Sequence, residues 1–229
     1  MKHKNTKKMP VSETLGGNNL FPAFLNLQGR RCVVAGGGTV AQRKIMRLLE
    51  CKACVVVVSP RVTRRLATLA KRGKLVWHQK PWNARYLQGA FLVFATTDDS
   101  TVNHRVAAAC SRRGILVNVA DNPSCCDFIV PASFRRGMLS VAVSSSGASP
   151  AFAARLCALL EQVLTDAHGE LLTRLGEVRR RLHRMVPDAR LRQNIFKNLS
   201  DSAILAVPVT RRRTTRTKQK APCTLLSQD

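Results

Sequence analysis

Residues 32–44 read CVVAGGGTVAQRK, an apolar run that gives way to three consecutive glycines and then to a helix-forming stretch. A bare turn does not need three glycines, so the spacing points to a backbone that something must approach closely. Gly36, Gly38 and Ala41 fill the pattern G-x-G-x-x-G/A, with Gly37 between the first two. In that pattern the first glycine permits a tight turn and the second lets the main chain approach a diphosphate. The third small residue lets helix and strand pack. Helix N–H groups beginning near Thr39 and Val40 would face the anion. The chemistry implied is dinucleotide binding, with a ligand-free tight turn as the alternative.

A second chemical element is missing. An Asp or Glu at the end of the next strand would hold the ribose diol. Here that strand ends VVSPRV, offering Ser59, Pro60 and Arg61. Either the backbone and the Ser59 hydroxyl hold the ribose, or Arg61 accommodates a 2′-phosphate, so NAD and NADP both stay open. Further polar groups gather where later apolar runs end: Thr97 in ATTDD (95–99), and Asn118 and Asp121 in NVADNP (118–123). Asp121 is the carboxylate suited to general-base work, since partial burial behind an apolar strand would raise its pKa. A turn-capping Asp ahead of Asn122–Pro123 is the alternative. Asp98 and Asp99 read as N-cap and first-turn acids of a helix. His104 reads as a surface residue.

These residues need a frame that brings strand ends together. From Leu20 onward, buried-type runs (RRCVVAG, CVVVVSP, KLVWHQ, AFLVFATTD, ILVNVAD) alternate with amphipathic stretches such as TVAQRKIMRLLE, RVTRRLATLAKRG and STVNHRVAAACSRRG. That alternation predicts a Rossmann-like α/β fold, a doubly wound parallel sheet whose ligands sit at the strands' carboxyl ends. After Asp121, FIVPASF and LSVAVSS flank Arg136–Gly137 as an antiparallel hairpin. A helix over 149–164 starts with Ser149 as N-cap and Pro150 at its first position. An Arg-rich helical stretch, 166–205, is broken at Pro187. The expected organisation is a sheet domain over 20–123, a small β segment over 124–150 and a helical domain over 151–206, between basic disordered tails at 1–19 and 207–229.

Composition narrows the partners. The 229-residue chain carries 38 Lys and Arg against 13 Asp and Glu, a formal charge of +25. Such an excess favours polyanionic company, either nucleic acid, an anionic surface or a ligand with many carboxylates. The charge is not evenly spread: one basic cluster opens the chain (Lys2, Lys4, Lys7, Lys8) and another closes it (RRRTTRTKQK, 211–220), so a nucleic-acid-binding module with basic arms is the competing reading. Scarce stacking aromatics argue against it. No apolar run approaches the ~20 residues that span a bilayer, and the basic N-terminus leads into polar residues rather than a signal-peptide core. A cytoplasmic protein is expected, without a membrane partner. The eight cysteines then read as reduced, mostly buried thiols. CKAC (Cys51–Cys54) and the pair Cys125–Cys126 lack the second CxxC that a zinc ribbon needs, so no metal site is expected. A thiol or metal sensor built on those four is a third, weaker idea.

Taken together, FPAFLNLQGRRCVVAGGGTVAQRK, ATTDDSTVN, NVADNPSCCDFIVPASFRRGMLSVAVSSSGASP and the helix that follows resemble the precorrin-2 dehydrogenase/sirohydrochlorin ferrochelatase family, the module that heads siroheme synthase. The resemblance covers roughly residues 21–165. It implies an NAD-binding domain, a dimerisation segment and a helical domain in a homodimer, with the substrate held between subunits. NAD⁺ would take a hydride from precorrin-2 to give sirohydrochlorin, and the family's use of NAD favours that cofactor. In bifunctional members the same cavity inserts Fe²⁺, a second substrate, to give siroheme. The resemblance assigns cofactor contacts to Thr39–Val40 and Pro60–Arg61 and the essential acid to Asp121. Ser145 falls at a serine beside the tetrapyrrole pocket, and Asn118 joins it on the substrate side. Ser146 stands where relatives commonly have glycine, which leaves ferrochelatase activity open.

Overall fold

The computed structural model describes residues 20–120 and 122–206. The two basic tails and Asp121 lie outside the described residues. The chain divides into two compact units. One closes at Val130 and takes in Ser146–Ala148; the other comprises Pro131–Ser145 and the chain from Ser149 on.

In the first unit, β1 (Arg31–Ala35), β2 (Cys54–Val58), β3 (Val76–His78), β4 (Leu92–Ala95) and β5 (Leu116–Val119) form one parallel sheet in the order β3-β2-β1-β4-β5. Helices α1 (Thr39–Glu50), α2 (Arg64–Lys71) and α3 (Ser100–Ser111) connect the strands. The strands read as unbroken valine-rich runs because both faces are covered. Val33, Ala35, Val56, Val58, Val93 and Val117 join Val106 and Ala109 of α3 in one layer. The alternate residues Cys32, Val34, Val55, Val57 and Phe94 join Ile45 and Leu48 of α1 and Leu66 of α2 in the other. Residue-for-residue register, Val33 opposite both Val56 and Val93, keeps the carboxyl ends level. Between β1 and β4 the strand order reverses, which opens a crevice for ligand in sheets of this kind.

Strands β2, β4 and β5 stop two or three residues before the quoted runs end, and β1 and β3 stop one residue before. Ser59, Thr96 and Ala120 still extend from the sheet ends through single backbone bonds, to the carbonyls of Val58's neighbour strand or of β1 and β4: Ser59 N–H to His78 at 3.2 Å, Thr96 N–H to Ala35 and Ala120 N–H to Ala95 at 2.8 Å. Asp99 is the N-cap of α3, accepting from Thr101 and Val102 N–H. Asp98 therefore precedes the helix, and no acid occupies its first turn, a correction to the expected capping pair.

The second unit pairs β6 (Ala132–Arg136) with β7 (Leu139–Val143), antiparallel, around Gly137 and Met138, with Gly137 at φ 55°. Helix α4 (Pro150–Val163) has the predicted Ser149 cap, whose side chain accepts from Phe152 N–H. Helices α5 (Asp166–Met185) and α6 (Ala189–Ala206) flank the break at Pro187. Gly169 lets α5 approach the hairpin: a Cβ there would collide with the Arg136 carbonyl. Arg136 ties the hairpin to Glu161 at 3.2 Å and Asp166 at 3.4 Å.

Candidate functional site

The glycines after β1 do three different jobs. Gly36 sits at φ 116°, and a Cβ on it would meet the Thr96 carbonyl oxygen at 2.5 Å. Its N–H donates to Val58 O at 3.0 Å, while Thr96 donates through N–H and Oγ1 to Ala35 O, so β1, β2 and β4 are tied together here. Gly37 faces the β2–α2 loop: a Cβ would strike the Arg61 carbonyl, and the Gly37 carbonyl accepts from Thr63 N–H at 3.0 Å. Gly38 is the N-cap of α1 and has nothing within 4 Å of where a Cβ would stand. No side chain caps this helix end. Thr39 and Val40 open the helix exposed, and Ala41 behind them is fully buried. First-turn N–H groups lack intrahelical acceptors and lie at the positive end of the helix dipole. The bare approach at Gly38 therefore fits a diphosphate.

At the end of β2, Ser59 is 8% exposed. Its hydroxyl donates to Arg61 O at 2.6 Å, and its carbonyl accepts from Trp77 Nε1 at 2.9 Å. Ser59 thus braces the turn, leaving Pro60 and Arg61 as the exposed groups.

At the end of β4, Thr97 is fixed by a residue that sequence reasoning missed. Asn103 of α3, buried, accepts through Oδ1 from Thr97 N–H at 3.1 Å and Thr97 Oγ1 at 2.8 Å. It returns an Nδ2 bond to Thr97 O at 2.9 Å. Bonds from Val102 and Thr101 N–H hold the exposed Asp99 carboxyl below its ordinary range. A cleft of about 300 Å³ opens here, lined by Thr97, Asn103, His104, Val119, Ala120 and Asn122 among others. His104, expected on the surface, is exposed and also borders this cleft, its ring nitrogens 3.4 Å from Asn122 Nδ2 and 3.7 Å from Cys125 Sγ.

At the end of β5, Asn118 is 7% exposed and its amide is committed inward. Oδ1 accepts from Lys44 Nζ at 2.9 Å, and Nδ2 donates to Phe128 O at 2.9 Å. The following loop folds back along β5: Asp127 N–H donates to Val117 O, and Val117 N–H donates to Asp127 Oδ2. Val119 N–H donates to Cys126 Sγ at 3.2 Å. Burial pushes the Cys126 thiol up, so it is a packing group here. Burial likewise pushes Cys32 up to about 11, with Cys54 and Cys51 adding to the rise. Among the described residues, no group of three or more His, Cys, Asp or Glu could hold a metal ion. The neighbours of Asp121, Ala120 and Asn122, both line the cleft.

The remaining expected residue, Ser145, belongs to the second unit, where its Oγ accepts from Ser149 N–H at 3.0 Å below the start of α4. Ser146 has φ 51°, in the left-handed region. A wider cleft of about 470 Å³ lies between α5 and α6, lined by Arg179, Leu182, His183, Arg192, Phe196 and Lys197 among others. None of the expected site residues among those described lines it.

Comparison with known proteins bears on this geometry. Residues 23–132 match the family described as NAD(P)-binding, and residues 136–162 match the one described as sirohaem biosynthesis protein central. The siroheme synthase of Nitrosospira multiformis is 43% identical over 180 residues, covering 76% of this chain and 38% of that protein. The siroheme synthase of Nitrosococcus oceani is 38% identical over 184 residues, 80% of this chain and 39% of that one. The chain thus spans less than half the length of these relatives. Among solved structures, SirC, precorrin-2 dehydrogenase, matches with a TM-score of 0.70 at 28% identity, covering 82% of this chain and 94% of that one. The first unit is accordingly a binding domain for a nicotinamide dinucleotide of the NAD or NADP type. With the second match continuing through the hairpin into α4, the chain belongs to the precorrin-2 dehydrogenase/sirohydrochlorin ferrochelatase family, the module that heads siroheme synthase.

Proposed function

We propose that this chain is an NAD-dependent precorrin-2 dehydrogenase that yields sirohydrochlorin on the way to siroheme. The observation that carries the reading is the open, uncapped approach at Gly38 in the same unit as the cleft at the ends of β4 and β5. Gly38, Thr39 and Val40 would hold the diphosphate through main-chain N–H groups, while Gly36 and Gly37 let the loop pack as it does. Pro60 and Arg61 would hold the ribose side, over the turn that Ser59 braces, and Thr97, held by Asn103, would serve the nicotinamide side. Bound NAD⁺ supplies the hydride acceptor. Asp121 takes the proton that precorrin-2 releases as the hydride leaves, so two electrons and two hydrogens are removed in all. Ser145 serves the tetrapyrrole side. The absence of a carboxylate after β2 leaves Arg61 as the group that would admit a 2′-phosphate, and our choice of NAD rests on the family.

We further propose a homodimer, because the hairpin and helices leave Met138, Phe152 and Leu159 exposed. We place the protein in the cytoplasm, a reducing compartment in which its cysteines would remain thiols. No helix among the described residues is long and apolar enough to cross a membrane. The competing nucleic-acid reading drew on the basic tails, which lie outside the described residues.

The deciding experiment is an anaerobic assay with precorrin-2 and, in parallel, NAD⁺ or NADP⁺, followed by the absorbance of sirohydrochlorin. Turnover with NAD⁺ is expected. Folded protein that binds NAD⁺ but gives no sirohydrochlorin would overturn the reading. Fe²⁺ added to sirohydrochlorin tests metal insertion separately.

A further inference from the structure

We infer that Lys44 is a positioning residue for the dehydrogenation, a clamp that ties the dinucleotide helix to the loop carrying Asp121. The inference rests on the function proposed above. Lys44 stands in the second turn of α1, the helix whose first turn faces the diphosphate, and it is half-buried. Its ammonium donates to Asn118 Oδ1 at 2.9 Å and lies 4.7 Å from the centroid of the Phe94 ring. Phe94 and Asn118 are register partners on β4 and β5, so one cation touches both strands at the end where the cleft opens.

The Asn118 amide completes the clamp. While Oδ1 takes the lysine, Nδ2 donates to Phe128 O at 2.9 Å, closing the neck of the loop formed by residues 119–127. Phe128 in turn packs edge-on against Phe94 at 5.6 Å. Asp121 lies inside this loop, three positions after Asn118. Of the loop's other anchors, Val119 N–H to Cys126 Sγ and Asp127 N–H to Val117 O join it to β5, Ala120 N–H to Ala95 O joins it to β4, and His104 of α3 borders it at Asn122 and Cys125. The Lys44 bond links the neck to α1. A charge-assisted bond at a buried amide is among the stronger kinds available, and its geometry is tightly set. Hydride and proton leave the same substrate, so acceptor and base must be held at a fixed spacing. Small misplacements of such groups cost large factors in rate.

The experiment compares wild type, Lys44→Met and Lys44→Arg as full-length protein. Amide hydrogen exchange, read without cofactor, should be about tenfold or more faster at Val119, Cys126 and Asp127 in Lys44→Met, with the α1 amides unchanged and Lys44→Arg close to wild type. In the precorrin-2 assay, Lys44→Met should lower kcat by about tenfold or more. Its KM for precorrin-2 and Kd for NAD⁺ should stay within about threefold, a split that marks loss of positioning rather than of binding. Unchanged exchange in the loop would overturn the clamp, as would Lys44→Met with wild-type kcat. Equal losses in both variants with a lowered Tm would reduce Lys44 to a packing residue and overturn it too. If wild type itself fails to turn over precorrin-2, the proposed function falls, and the exchange comparison still decides the clamp.

Discussion

The two units of this chain are finished to different degrees. In the sheet unit, β1, β2, β4 and β5 bury most of their side chains between helices on two faces, and the polar residues Ser59, Thr96, Asn103 and Asn118 are buried with hydrogen-bonded side chains. In the second unit, α5 runs for 20 residues and buries only Gly169. Leu172, Met185, Leu191 and Leu199 of α5 and α6 remain exposed, as do Phe152 and Leu159 of α4. The contrast teaches where each function can reside. A parallel sheet covered on both faces holds a cofactor loop to fractions of an ångström without help, because its packing leaves no slack. A helical layer with its apolar side open is completed by another surface, here proposed to be a second copy.

The largest predicted effect tests whether chemistry is confined to the sheet unit. Asp121→Ala should lower kcat by about 10²–10⁴, the usual range for removing a general base. NAD⁺ affinity and Tm should stay near wild type. Isothermal titration beside the anaerobic assay checks both, and an Asp121→Ala enzyme with near-normal kcat would move the base elsewhere.

Two adjacent glycines sharpen the same contrast between fold and ligand. At Gly37 a methyl group strikes the Arg61 carbonyl, so Gly37→Ala should destabilise the unit by about 1–3 kcal/mol, an overpacking cost. At Gly38 the space is open and φ is −76°, so Gly38→Ala should fold as well as wild type yet lose about tenfold or more in NAD⁺ affinity. Thermal melts and cofactor titrations of the two variants should therefore respond in opposite ways. Equal behaviour would mean that the open space at Gly38 is not the diphosphate approach.

For the second unit, Phe152→Asp with Leu159→Asp places charge on the exposed face of α4. If that face completes a homodimer, light scattering should show a shift from dimer to monomer at micromolar concentration, with NAD⁺ binding by the sheet unit retained. A dimer that persists unchanged would place the interface on another surface.

How much of this is legible in the sequence follows from what each residue pairs with. Valine runs read correctly as strands because burial on both faces removes polar residues from their middles, and the glycine triplet stands out in the sequence because Gly36 and Gly37 exclude a Cβ while Gly38 borders open space. Strand ends do not: CVVVVSP does not show what Ser59 does after the last valine, since its turn role depends on the Arg61 carbonyl and on Trp77 of β3. Lys44 and Asn103 look like solvated helix residues, since only packing of α1 and α3 beside the sheet brings them to Asn118 and Thr97. Asn118 reads as a ligand contact because polar residues at strand ends usually face outward. Its amide instead turns in, toward partners 74 and 10 residues away in the chain.

The smallest predicted effect concerns Ser146, whose φ of 51° places an L-residue where the left-handed conformation costs roughly 1–2 kcal/mol. Gly147 follows with φ 90°, so the turn ahead of α4 holds two such residues in succession. Ser146→Gly relieves the strain but adds backbone freedom to the unfolded chain, which offsets roughly 0.4–1 kcal/mol of the gain. The net stabilisation should be about 0.5 kcal/mol, a rise of about 1–2 °C in Tm for a chain of this size. A glycine, the residue that the family resemblance leads one to expect here, would then be favoured for a conformational reason, independent of any effect on the substrate cavity. A fall in Tm would show that the serine side chain contributes more to the turn than its backbone costs. A gain in Fe²⁺ insertion without a change in Tm would instead assign the position to the cavity.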